Sequence, residues 1–163
     1  MTELSIGRRV ARAGLIAAVY AALCWVLKPV SFGVLQFRVA EALTLLPILY
    51  AEAVPGLFVG ALLANVIGGL GLPDIVLGSL ATLVAAWLTR IWRRSWTAYL
   101  PPIVVNAVVV GWYLTYLIHL PSPKLLGSTF LGAALAIGAS EAVVLLVLGV
   151  PLVALLRRRG LGD

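Results

Sequence analysis

Gln36, Arg38 and Glu41 place an amide, a guanidinium and a carboxylate in one short segment where a long apolar run begins. Asn65, Asp74, Ser79, Asn106 and Glu141 follow, each inside or at the mouth of another apolar stretch. Amides and guanidinium groups donate hydrogen bonds and carboxylates accept them, so together these side chains could hold a polar solute. A charged residue at the centre of a membrane helix costs roughly 2.5–3.5 kcal/mol on insertion scales, and such residues default to a functional reading. Glu141 must therefore be protonated, paired, or turned toward a wet cavity. Each group also has a structural alternative. Arg38 and Glu41 could be an interfacial ion pair, and Asp74 after Pro73 could be a helix N-cap. Ser79 and Thr82 could bond back to their own helix, and Asn106 could bridge to Glu141. Trp112, Tyr113 and Tyr116 could form either an interfacial aromatic belt or a wall on which a flat heterocycle stacks.

These groups need apolar elements to position them. The chain is 63% hydrophobic and 11% charged, with a mean hydropathy of +1.11. A hydrocarbon core about 30 Å thick demands apolar runs of roughly 17–25 residues, and glycine and proline punctuation divides the chain into six of them. The expected spans are about 10–27, 39–53, 54–70, 74–89, 98–120 and 127–156. The expected fold is a single all-α integral membrane domain of six transmembrane helices. Span two is short for a bilayer, which suggests that the segment from Gln36 to Glu41 dips inward as irregular backbone over a pocket.

Charge placement sets the orientation. Arg8, Arg9 and Arg12, then Arg90, Arg93 and Arg94, then Arg157, Arg158 and Arg159 flank apolar segments; only Lys28, Arg38 and Lys124 fall elsewhere. With six spans and both termini cytoplasmic, all nine grouped arginines lie inside, as the positive-inside rule requires. The same placement argues against nucleic acid as the reason for a pI near 10.1, since no base-stacking aromatics are interleaved with the arginines. The basic start followed by an apolar run imitates a secretory signal, but Leu23 before Cys24 is a poor cleavage position, so a retained first helix is expected.

Small residues recur every fourth position. Ala13, Ala17 and Ala21 do so in span one, beside Gly14, Ala18 and Ala22, and Gly56, Gly60, Ala64 and Gly68 in span three. Such rows let helix backbones approach closely in lipid. The row in span three suggests internal packing, while that in span one suits either internal packing or a partner helix.

Several chemistries lack their residues. One cysteine excludes an internal disulfide and a cysteine metal cluster, and His119 has no ligand neighbours, so neither a metal nor a cofactor is expected. There is no phosphate loop ending in Lys-Ser/Thr and no His-Glu-x-x-His, so uphill transport would need a partner or an ion gradient.

The run Gln36-Phe-Arg38-Val-Ala-Glu41-Ala-Leu-Thr-Leu-Leu46-Pro47 resembles the signature of the queuosine-precursor transporter (QueT) family. Gly56-Leu-Phe-Val-Gly60-Ala-Leu-Leu-Ala64-Asn65 and Asp74-Ile-Val-Leu-Gly78-Ser79-Leu-Ala-Thr82 resemble it too, with Asn106 and Glu141 in register. The resemblance implies a substrate-binding S component of an energy-coupling-factor (ECF) importer in a prokaryotic cell membrane. Its implied partners are a transmembrane T subunit, docked on the Ala13, Ala17 and Ala21 stripe, and two cytosolic ATPases. The implied solute is a 7-deazaguanine: queuine or its cyano- or aminomethyl-substituted precursor. Glu41 or Glu141 would take the donor edge of the ring, and Asn65, Asn106, Gln36 or Arg38 its acceptors. Tyr113, Tyr116 or Trp112 would stack on it, and Asp74 could face an aminomethyl cation. Another vitamin-like solute, or proton-coupled transport through Glu141, remains open at this level.

Overall fold

The computed structural model describes residues 5–32, 37–118 and 129–160, which are helical with no strand among them. Six principal helices follow one another: α1 (Ile6–Val26), α2 (Val39–Ile48), α3 (Ala53–Gly68), α4 (Asp74–Ile91), α5 (Trp96–Ile118) and α6 (Phe130–Arg158). Helices α1, α4, α5 and α6 are long and apolar enough to cross a membrane. Their lipid-length faces expose large apolar side chains such as Leu15, Val19, Val104, Val108, Leu135 and Leu146, a surface a water-soluble monomer would avoid. The chain is a multi-pass membrane protein.

The second expected span takes a different form. A helix over 39–53 was expected; α2 is instead a 3₁₀ helix ending at Ile48, with Pro47 inside it. Ten residues at about 2.0 Å rise cover roughly 20 Å, short of a bilayer core. Ala40, Glu41, Ala42, Thr44, Leu45 and Leu46 are all buried, so neighbouring helices surround α2 and stand in for lipid. α3 has 16 residues, roughly 24 Å of helix, and is also shorter than the four long helices. The other observed boundaries lie within a few residues of those expected.

α1 and α3 make the closest pair, and glycine is the reason. A Cβ on Gly56 would lie 2.7 Å from the Ala13 carbonyl oxygen. One on Gly60 would lie 2.9 Å from Tyr20 Cβ and 3.0 Å from the Ala17 carbonyl oxygen. The backbones thus meet with no side chain between them on the α3 side. The row Ala13, Ala17 and Ala21 therefore faces inward, with Ala17 and Ala21 buried. This corrects its assignment as a partner-docking stripe: Gly56 and Gly60 already occupy it. The outward row is Gly14, Ala18 and Ala22, all exposed.

Three of the long helices contain π turns: Asp74–Gly78 at the start of α4, Asn106–Val110 and Leu114–Ile118 in α5, and Leu145–Gly149 in α6. π turns widen a helix locally and often mark functional sites. Two of the four begin at polar residues singled out from the sequence, Asp74 and Asn106.

Candidate functional site

The first turns of α2 and α4, the middle of α5 and the middle of α6 converge on a buried polar cluster. Arg38, just before α2, is 6% exposed, Glu41 2%, Asp74 0%, Asn65 0%, and Asn106 and Glu141 5% each. Groups this deep must be satisfied by the protein or by something it binds.

Asp74 anchors one side. It does not cap α4; its Oδ1 accepts a hydrogen bond from Tyr113 Oη at 2.6 Å and one from Arg38 Nη2 at 3.4 Å. The Asn65 amide donates to the Asp74 backbone carbonyl at 2.9 Å, inside the π turn, and to Ser79 Oγ at 3.3 Å. A Cβ on Gly78 would sit 2.8 Å from Asn65 Nδ2 and 3.0 Å from Tyr113 Oη. Glycine at that position is what lets the two side chains reach Asp74. Ser79 Oγ donates to the Ile75 carbonyl and Thr82 Oγ1 to the Gly78 carbonyl, so both hydroxyls are spent on their own helix.

Arg38 is held loosely. Its Nε donates to the Ser31 carbonyl at 3.4 Å, and its guanidinium lies 4.9 Å from the Phe32 ring centroid. Charge-assisted N–H···O bonds normally run about 2.7–2.9 Å. Two bonds at 3.4 Å leave most of the five guanidinium donors without a close acceptor among the described residues.

The opposite side holds the two glutamates. Tyr20 Oη donates to Glu41 Oε1 at 2.5 Å, and Asn106 lines the same hollow as Glu41 and Glu141. Asn106 and Glu141 thus lie together, with Glu41 as a third member. Arg38, Glu41, Asn106 and Glu141, with Val110 and Ile137, line a hollow of about 10 Å³, roughly the space one water requires. A larger ligand enters only if these side chains part.

Four buried oxygens in this cluster have no hydrogen-bond partner among the described residues: Glu41 Oε2, Asp74 Oδ2, Asn65 Oδ1 and Glu141 Oε1. All four are acceptors, and leaving such a group buried and unpaired costs about 1–3 kcal/mol, more when it is charged. The cluster is complementary to a solute rich in N–H donors that also offers an acceptor to Arg38.

A family model for the QueT transporter matches residues 10–158. The chain belongs to the QueT transporter family. It is accordingly a transport protein rather than an enzyme, with a small-molecule substrate and a lipid environment. Neither the curated proteins nor the solved structures contain a match to it.

Within this QueT-family chain the expected residues divide clearly. Arg38, Glu41, Asn65, Asp74, Asn106, Tyr113 and Glu141 are brought together. Ser79 touches the cluster through Asn65 alone. Gln36 lies outside the described residues. Trp112 and Tyr116 are 46% and 54% exposed and lie against one another, ring centroids 6.2 Å apart, on the outer face of α5. Only Tyr113, fully buried, points inward. Trp112 and Tyr116, four residues apart, share one face of the helix, and Tyr113 lies on another.

Tyr20, Phe32 and the Ser31 carbonyl were not anticipated. Tyr20 had a readable signal: Ala17, Tyr20, Ala21 and Cys24 repeat at helical spacing, and all four are buried on one face of α1. A hydroxyl on an inward face must find a partner. Phe32 and Ser31 carry no comparable signal, because they act through a ring face and a backbone carbonyl.

Proposed function

We infer that this protein is the S component of an ECF-type importer and captures a queuosine precursor of the 7-deazaguanine class. In this reading all six helices pass through a prokaryotic cell membrane and both termini are cytoplasmic. A T subunit and two ATPases supply the drive that this chain has no residues to provide.

The observation that carries the reading is the set of four buried oxygens without partners among the described residues, around an arginine whose two bonds there are both 3.4 Å long. A deazaguanine ring offers N1–H and an exocyclic amine on one edge, a donor pair suited to a carboxylate, and O6 as an acceptor for Arg38. Glu41 and Glu141 face the hollow and are the groups suited to that donor edge, with Asn106 lining the same hollow. Asp74 Oδ2 suits a cationic substituent. Tyr113 positions Asp74 by its hydrogen bond rather than acting as an exposed stacking platform. For the T subunit, the available small-residue row on α1 is Gly14, Ala18 and Ala22, since Ala13 and Ala17 are covered by α3.

Titration of the purified protein with queuine, its cyano and aminomethyl precursors, guanine and thiamine tests the reading. Saturable binding of a deazaguanine, with thiamine inert, is the expected result. Preference for thiamine, or no deazaguanine binding, overturns the substrate class. Proton-driven uptake by this chain alone in liposomes, without ATP, overturns the ECF assignment.

A further inference from the structure

A second polar hollow lies at the other end of the bundle, of about 180 Å³, large beside the roughly 10–15 Å³ a single water needs. Arg93, Arg94 and Ser95 from the α4–α5 connection, Trp96 and Tyr99 from the first turn of α5, and Arg157 from the last turn of α6 line it. Ile48, at the end of α2, forms its inner edge. Three guanidinium groups therefore converge from two segments far apart in sequence.

No carboxylate opposes them among the described residues. The chain has six acidic residues, of which Glu41, Asp74 and Glu141 lie in the buried cluster. Glu52 is taken by Arg12 at 2.8 Å, and Glu3 and Asp163 lie outside the described residues. Arg93, Arg94 and Arg157 form no ion pair in the described structure, and Arg94 and Arg157 are exposed.

We propose that this hollow binds a phosphate group, presented by the headgroup of an acidic phospholipid in the leaflet on the arginine-bearing side. Guanidinium forks match phosphate oxygens two at a time, and basic pockets between membrane helices take anionic headgroups. The surroundings favour a lipid over a free ion. Trp96 is 72% exposed and Trp92 42%, and Ile91, next to Trp92 in sequence, and Leu155, two residues before Arg157, are exposed as well. Exposed indoles belong at the headgroup level, and the exposed apolar side chains offer a track for acyl chains leaving the hollow. This site is independent of the substrate reading and uses none of its residues.

Native mass spectrometry of the intact protein in detergent, with phosphatidylglycerol or phosphatidylcholine added at equal concentration, tests the assignment. The expected result is retention of one phosphatidylglycerol in preference to phosphatidylcholine. Arg94→Glu/Arg157→Glu should weaken that retention about tenfold or more, while Arg158→Glu/Arg159→Glu leaves most of it. Equal retention of the two lipids, or equal loss in both double variants, overturns the proposal, because binding would then follow net charge alone. Displacement of the lipid by inorganic phosphate at matched ionic strength would make the free ion the ligand and overturn the lipid source. Unchanged lipid retention in Arg94→Glu/Arg157→Glu, with loss of a co-purifying acidic protein, would assign the arginines to that protein instead. A size-exclusion profile unchanged from the parent checks that both variants fold.

Discussion

The two polar regions of this molecule are opposites. Around Arg38, three carboxyl groups and two amides are sealed inside the bundle, and the atoms without partners among the described residues are oxygens. At the other end Arg94 and Arg157 stand exposed beside the half-buried Arg93, and the groups without ionic partners among the described residues are donors. Burial decides what each imbalance means. A carboxylate withdrawn from water loses several kcal/mol of hydration even after the protein relaxes, so the inner imbalance is costly to the fold. An exposed guanidinium remains hydrated and screened, so the outer imbalance strains nothing and leaves the arginines free to take a counter-ion. The inner region costs the fold stability, whereas the outer one costs it almost nothing.

Substitutions sharpen this contrast, beginning with the largest effect. Arg38→Met should destabilise the protein by about 3–5 kcal/mol, because it strands Asp74 as a buried unpaired charge. Thermal unfolding in detergent measures it, and adding Asp74→Asn should restore much of the stability without restoring ligand binding. A loss no greater than that of an exposed arginine would erase the distinction between the regions. Tyr20→Phe should cost about 1–3 kcal/mol by removing the close partner of Glu41 Oε1, again read from unfolding. Glu141→Gln should leave stability near the parent value yet lower solute affinity by about 1.5–3 kcal/mol, the worth of a hydrogen bond to a charged group. Isothermal titration checks it, and unchanged affinity removes Glu141 from the site. Arg94→Ala should fall within about 0.5 kcal/mol of the parent, as surface changes do, and a larger loss would mean that the arginine hollow is structural.

Much of the architecture was readable without coordinates. The four long helices follow from apolar run length, because lipid forces every backbone group to bond within its own segment. The acids and amides at depth were equally legible: a polar residue in such surroundings stands out by type alone. Arg38, Glu41, Asn65, Asp74, Asn106 and Glu141 could be named for that reason. Their partners could not. The spacing of Ala17, Tyr20, Ala21 and Cys24 puts Tyr20 on the inward face of α1, but that it meets Glu41 emerges only when the helices pack.

Local pattern determined where the chain turns helical, which segments suit lipid, and which residues are too polar to be there by packing alone, since each rests on near-neighbour composition. Tertiary structure alone decided which face of each helix turns inward. It set the Ala13, Ala17 and Ala21 row against Gly56 and Gly60, and it parted Tyr113 from Trp112 and Tyr116. It also made α2 a buried 3₁₀ helix and opened π turns at Asp74 and Asn106. In an apolar helix nearly every face is hydrophobic, so rotation about the axis is set by interlocking with neighbours. That information lies in the pairing of helices and in no single one of them.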